Sequence, residues 1–288
     1  MKVLMTGAGG QVGRALSAAT PREVELLACS HAELDIGNES VVAEKVGAFR
    51  PDVIINAAAY TAVDRAESDV ELARRNNTEG PRHLAIAARQ AGARLIHIST
   101  DFVFDGRSST PYRPDSPTAP VNVYGTTKRD GEQAVLETMP GRAVVLRTAW
   151  VYGAEGGNFL RTMLRVMGTK GAARVVADQV GTPTSTRSLA DVIWRIALQP
   201  ALAGIHHWTD AGVASWYDFA VAIAEEGSLL GLLPADVKVT PIATHEYPTP
   251  ARRPSYSVLD KSSLTALGMQ PVHWRKQLRA VLGEMRDA

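Results

Sequence analysis

A glycine-rich turn directly behind the first apolar run constrains this chain more than any other feature. Lys2–Met5 reads as a short strand, and the stretch Thr6-Gly-Ala-Gly-Gly-Gln-Val-Gly13 follows at once. Gly7, Gly10 and Gly13 are spaced G-x-x-G-x-x-G rather than G-x-G-x-x-G, but the physical demands are the same. One glycine permits the tight turn, another lets backbone approach a pyrophosphate, and the third allows the next helix to pack close to the strand. The helix N-terminus then offers free N–H groups and a partial positive charge to a diphosphate. An ordinary strand–helix turn also favours glycine. Three glycines in register behind so early a strand favour dinucleotide binding.

The rest of the first half keeps the rhythm such a loop requires. Gln11–Ala19 reads as a helix, Glu25–Cys29 as a strand, and Glu39–Phe49 as a helix capped by Asn38. Asp52–Asn56 is a third strand, a long helical stretch lies between Val70 and Ala91, and Leu95–Ser99 and Val144–Arg147 are further strands. Alternation at this spacing predicts an α/β, Rossmann-type, doubly wound parallel sheet. Beyond Trp150 the rhythm loosens. Gly153–Gly157 and Gly168–Gly171 flank a predicted helix; Leu189–Leu198 and Ser215–Glu226 read as helices and Gly204–Trp208 as a strand. Thr240–Pro254 holds four prolines and predicts an extended loop. The expected division is a cofactor domain over 1–149 and a mainly substrate-binding region over 150–288, with some segments returning to the first domain.

Composition excludes several classes. The formal net charge is +1 over 288 residues, which argues against bulk electrostatic binding to nucleic acid or an anionic membrane. Cys29 is the only cysteine, so neither an internal disulfide nor a cysteine-based zinc site is possible. The opening MKVLMTGAGG lacks the sustained apolar stretch of a signal peptide, and no segment approaches a membrane span. A cytoplasmic location is the expectation.

The end of the second strand bears on cofactor choice. A carboxylate there ordinarily holds the adenosine ribose diol, but the chain reads Cys29-Ser30-His31. Losing the acid removes repulsion against a 2′-phosphate, and no arginine immediately replaces it. NADPH or NADH is therefore expected, NADPH slightly favoured. Asp35-Ile36 is placed to border the adenine. The third strand runs into Asn56-Ala-Ala-Ala-Tyr60-Thr61, whose small residues allow backbone to pass close to a cofactor or simply to pack.

The fourth strand leads into Thr100 and Asp101, and Tyr124 and Lys128 follow four residues apart. On a helix that spacing places phenol and ammonium on one face. A neighbouring ammonium is expected to lower the phenol's pKa toward working pH. Tyr124 would then donate a proton to a ketone oxygen that Thr100 also hydrogen-bonds, while Lys128 bridges to ribose hydroxyls. Tyr-x-x-x-Lys is common by chance in helices. Its combination with the glycine loop and Thr100 carries the signal.

With these residues assembled, the chain resembles the extended short-chain dehydrogenase/reductases, and among them the dTDP-4-dehydrorhamnose reductase family. The segments that carry the resemblance are the glycine loop, NAAAYTAVDRAE (Asn56–Glu67), STDFVFDG (Ser99–Gly106), VYGTTK (Val123–Lys128), RTAWVYG (Arg147–Gly153), DQVGTPT (Asp178–Thr184) and RRPSYSVLD (Arg252–Asp260). The resemblance implies NAD(P)H-dependent reduction of a dTDP-sugar 4-ketone to dTDP-L-rhamnose, for polysaccharide biosynthesis. It implies a triad of Thr100, Tyr124 and Lys128, and substrate contacts at Thr100, Asp101 and Trp150. Implied cofactor contacts are Gly10-Gln11-Val12, Asp35-Ile36 and Ala59-Tyr60-Thr61; Gly7, Gly13, Ser30, Tyr124 and Lys128 complete the expected set. Trp150 suits the apolar face of a deoxysugar, and Arg252 and Arg253 either pair with a diphosphate or form a solvated basic loop.

Some relatives dimerise through magnesium held by two glutamates, but Ala15 and Arg187 stand at those positions here. Neither supplies a hard oxygen ligand, so no bridging magnesium is expected, and the chain is expected to be a monomer or weak homodimer. Two alternatives stay open. One is a ketoreductase giving the 6-deoxy-L-talose epimer; the other is a non-catalytic NADP-binding regulatory subunit.

Overall fold

The computed structural model describes residues 1–287. Among them, six strands form the main sheet: β1 (Lys2–Thr6), β2 (Glu25–Cys29), β3 (Val53–Asn56), β4 (Arg94–Thr100), β5 (Ala143–Thr148) and β6 (Gly204–His207). Their spatial order is β6-β5-β4-β3-β1-β2 and every neighbouring pair is parallel. Parallel strands are covered on both faces, so their residues alternate between two cores. Val3, Met5, Val53 and Ile55 enter one core, while Leu4 and Ile54 enter the other.

The helices that cover these faces are α1 (Gln11–Ala18), α2 (Glu39–Phe49), α3 (Gly80–Ala91), α4 (Val123–Thr138) and α6 (Thr186–Ala197); α5 (Phe159–Lys170) precedes α6 in the chain. Leu16 of α1 and Leu189 and Ile193 of α6 close the first core. Val42 and Val46 of α2, Leu84 of α3 and Val135 of α4 close the second. A third core joins α5 to α7 (Trp216–Leu229) and α8 (Trp274–Asp287) through Leu160, Phe219 and Leu278. Both α6 and β6 come from the second half of the chain, yet they complete the main sheet and its first core.

Polar caps set the helix starts. Asn38 accepts from Val41 N at 3.3 Å, and Asn122 accepts from Gly125 N at 2.7 Å. Ser215 and Asp218 satisfy each other's backbone at the start of α7. No helix of the described residues is long and apolar enough to cross a membrane.

Three expectations need correction. Thr240–Pro254 is not wholly an extended loop: Lys238–Ile242 pairs in parallel with Ala172–Val176, and a turn of 3-10 helix covers Thr244–Glu246. The prolines suggested otherwise, but a two-stranded pair has an outer edge where a missing N–H costs nothing. Gly168 lies inside α5, and only Gly171, in the left-handed conformation at φ 64°, ends it. The helical stretch from Val70 to Ala91 is interrupted by a π turn over Arg75–Glu79.

Candidate active site

The sheet reverses strand order between β1 and β3, and ligands in such folds bind outside the carboxyl ends at that point. The glycine loop is built for this place. A Cβ on Gly7 would lie 2.6 Å from the backbone of Ala57 and Ala58, and one on Gly13 would lie 2.2 Å from Gly7 O. Those two glycines serve close packing. Gly9 has nothing within 4 Å of such a Cβ, and Gly10 only Gly7 O at 3.3 Å. At these two positions a side chain would project into open space, which a diphosphate needs. Gly10 caps α1 without a side-chain hydrogen bond, leaving the first-turn N–H groups for an anion. The loop therefore fits a dinucleotide.

At the end of β2 the structure corrects the premise that no carboxylate is present. Glu33 folds back so that Oε2 accepts from both Ser30 N and Ser30 Oγ, each at 2.7 Å. Sequence reasoning missed it because the acid arrives through a turn three residues later. Asp35 accepts from Gly37 N at 2.9 Å and is ion-paired with Arg75. Ile36 is 2% exposed and its side chain packs against Gly80, so that side chain belongs to the core rather than to an adenine-facing surface. The Tyr60 hydroxyl donates to Asp69 at 2.7 Å.

A cavity of about 340 Å³ brings together Gly10, Gln11 and Val12 with Ala59 and Thr61 on the cofactor side. It is also lined by Thr100, Asp101, Tyr124, Lys128 and Trp150. Gly7, Gly13, Ser30, Asp35, Ile36 and Tyr60 lie outside it. A larger cavity, about 640 Å³, lies over α1 and α6 beside Ala15 and Arg187, with Arg187 paired to Glu284. It lacks the phenol–ammonium–hydroxyl set, so chemistry and not volume identifies the smaller one.

The β4 strand delivers Thr100 to the cavity edge and α4 delivers Tyr124 and Lys128 from one face. Lys128 is 2% exposed, and Nζ donates to Ile98 O at 2.7 Å. Burial pushes Lys128 down to about 8 and Tyr124 up to about 12. The sequence-based expectation that the ammonium lowers the phenol is thus overturned. Burial dominates, a hydrogen bond with Thr100 opposes it, and nearby Asp101 adds to it. The phenol holds its proton firmly at neutral pH.

Thr100 Oγ1 donates to Asp101 Oδ1 at 3.0 Å, and Asp101 Oδ2 is buried without a partner. Burial raises Asp101 to about 6, against hydrogen bonds from Ser257 and Thr100. Trp150 occupies the left-handed region at φ 49°, an unfavourable backbone for a bulky residue that persists at sites where surroundings impose it. Its ring stacks on Trp216 with centroids 3.6 Å apart and planes within 6°, and Gly181 packs beneath it, where a Cβ would lie 2.7 Å from the indole. Arg253 pairs with Asp64 at 2.8 Å and borders cavities of about 490 and 320 Å³; Arg252 borders the first of these.

Sequence reasoning missed the supports behind this set. Asn77, in the π turn, accepts from Tyr60 N at 2.8 Å and donates to Tyr60 O at 3.0 Å and Thr127 Oγ1 at 3.2 Å. It ties the loop after β3 to the helix of Tyr124. Glu132, one turn beyond Lys128, pairs with Arg147 at 2.7 Å with both side chains buried, and also takes a hydrogen bond from Ser99. Its charge holds the Lys128 ammonium against burial. The i, i+4 spacing of Lys128 and Glu132 was a readable signal for that last contact. Among the described residues, no three His, Cys, Asp or Glu side chains are grouped to hold a metal ion.

Residues 1–287 match the family described as RmlD substrate binding domain. A dTDP-4-dehydrorhamnose reductase of Streptomyces griseus is 45% identical, over 96% of this chain and 91% of that one. A probable dTDP-4,6-dihydroxy-2-methyloxan-3-one 4-ketoreductase of Streptomyces antibioticus is also 45% identical, over 100% of this chain and 97% of that one. The solved structure of dTDP-4-dehydrorhamnose reductase from Bacillus anthracis in complex with NADP superposes with a TM-score of 0.92 at 37% identity, covering 98% of this chain and 99% of that one.

Proposed function

The chain belongs to the RmlD substrate binding domain family, that of the dTDP-4-dehydrorhamnose reductases, and from this premise we propose that it reduces the 4-keto group of dTDP-4-dehydro-6-deoxy-L-mannose, using NADPH or NADH, to dTDP-L-rhamnose. The observation that carries the reading is the single cavity shared by the α1 cap, Thr100, Tyr124, Lys128 and Trp150. The nicotinamide supplies the hydride when bound. As charge develops on the ketone oxygen, Tyr124 gives up its proton and Thr100 donates a hydrogen bond to the same atom. A phenol held near 12 remains a loaded donor across the working range.

Lys128, anchored on Ile98 O, stabilises the phenolate left behind and holds the ribose hydroxyls. Before substrate binds, Asp101 Oδ1 accepts the single Thr100 hydroxyl proton, and that O–H turns from Asp101 to the ketone oxygen in the reacting complex. Trp150, stiffened by Trp216, presents an apolar surface to the deoxysugar. Past the Trp150–Trp216 stack, the cavity bordered by Trp216 and Arg253 would take the diphosphate and nucleoside, with Arg253 leaving Asp64 to meet the diphosphate.

The Streptomyces antibioticus relative favours a second reading, a 4-ketoreductase acting on a differently substituted dTDP-sugar. The 6-deoxy-L-talose epimer is a third outcome of the same chemistry. A test of the first reading follows reduced-nicotinamide absorbance with the keto-sugar nucleotide made in situ. Tyr124→Phe should lower turnover by roughly 10²–10⁴-fold while cofactor affinity stays within about threefold, since the lost hydroxyl holds the substrate and not the diphosphate. Near-normal turnover in that variant would remove Tyr124 as the donor. A wild-type protein that binds cofactor but consumes none would instead support the regulatory-subunit alternative.

A further inference from the structure

We infer that Glu33 sets which nicotinamide dinucleotide this chain accepts, an inference that rests on the cofactor reading above. Ser30 is the first residue beyond β2, and its N–H and Oγ–H both donate to Glu33 Oε2 at 2.7 Å. The glycine loop docks on the same strand end, with Ala8 N donating to Cys29 O at 3.0 Å. In a sheet of this winding the adenosine ribose lies at the end of β2. Glu33 therefore places an anion, in space, at a position where the chain sequence has none. Its other oxygen, Oε1, makes no hydrogen bond among the described residues.

The two cofactors differ only at the ribose 2′ position, and Glu33 treats them oppositely. A 2′-hydroxyl donates to a carboxylate, a charge-assisted hydrogen bond. A 2′-phosphate is an anion with acceptor oxygens, so it repels Glu33 and contends with it for the Ser30 donors. Glu33 is exposed and free to swing into water, so NADPH is admitted at the cost of breaking two hydrogen bonds. Arg75, which the fold brings to this loop, is engaged with Asp35 and offers the phosphate no ready compensation. Charge alone also distinguishes a cofactor role from a merely local one: a staple of the turn would serve both nucleotides equally, whereas this carboxylate separates them.

The test is a fluorescence titration of the full-length protein with NADPH and with NADH, using wild type, Glu33→Gln and Glu33→Ala. Glu33→Ala should lower the ratio Kd(NADPH)/Kd(NADH) by roughly tenfold, the order of one charge-assisted hydrogen bond. Glu33→Gln should fall between, because it removes the charge and keeps an acceptor. An unchanged ratio in both variants, or equal weakening of both nucleotides, would overturn the role of Glu33 and leave the reductase reading standing. Failure of wild type to bind either nucleotide would overturn that reading, and this inference with it.

Discussion

Tyr124 and Lys128 stand side by side on one face of α4 with opposite displacements from their ordinary acidities. The pair was legible from its spacing, but the sign of the phenol's displacement was not. Sequence shows which charges are near and not how much water a folded cleft removes, and here desolvation outweighs the ammonium. A pH profile follows from Lys128, pushed down to about 8. The ammonium is lost as pH rises past that value, so kcat/KM should fall by about tenfold per unit above it; a flat profile to pH ~10 would contradict the assignment. Stability runs the other way. A cation whose folded pKa lies below its unfolded one destabilises the fold wherever it stays protonated, and the penalty fades between about 8 and 10.5. Lys128→Met should therefore abolish most activity yet stabilise the protein at neutral pH by roughly 1–2 kcal/mol, after loss of the bond to Ile98 O. Urea denaturation checks this, and destabilisation would count against a charged, buried Lys128.

The π turn over Arg75–Glu79 is the element that sequence periodicity could not show. Helical pattern continues on both sides of it, so the stretch read as one helix; the extra residue per turn is accommodated by Asn77 bonding outside its own helix. Such turns recur at functional sites, and this one fixes the backbone after β3 against α4. Asn77→Ala leaves Tyr60 N and O and Thr127 Oγ1 without that partner. The expected loss is roughly 2 kcal/mol in denaturant unfolding, with a several-fold rise in KM for the cofactor and little change in kcat. A kcat effect with KM unchanged would show that Asn77 does not act through the cofactor loop. The strand at Lys238–Ile242 escaped notice for the opposite reason: Pro241 reads as a breaker, and only tertiary pairing reveals that its nitrogen, which bears no hydrogen, faces the open edge of the pair.

At the scale of the molecule, the parallel sheet was legible because each strand–helix alternation carries its own punctuation, and the carboxyl-end placement of Thr6, Asn56 and Thr100 follows from parallel register. What joins the halves was less legible. α6 and β6 complete the main sheet from beyond residue 150, and Trp216 reaches Trp150 by a stack that no spacing rule encodes. Likewise, Arg253 is tied to Asp64, across most of the chain length. These long-range ties bring the glycine loop, Tyr124 and an aromatic wall into one cleft, whose proposed work is a stereospecific reduction. The most direct measurement supplies the purified protein with dTDP-4-dehydro-6-deoxy-L-mannose and reduced nicotinamide, then identifies the product by NMR. The expected result is dTDP-L-rhamnose formed in step with cofactor oxidation, and abolished in Tyr124→Phe. Recovery of the 6-deoxy-L-talose epimer alone, or of unreacted ketone beside intact cofactor, would contradict it.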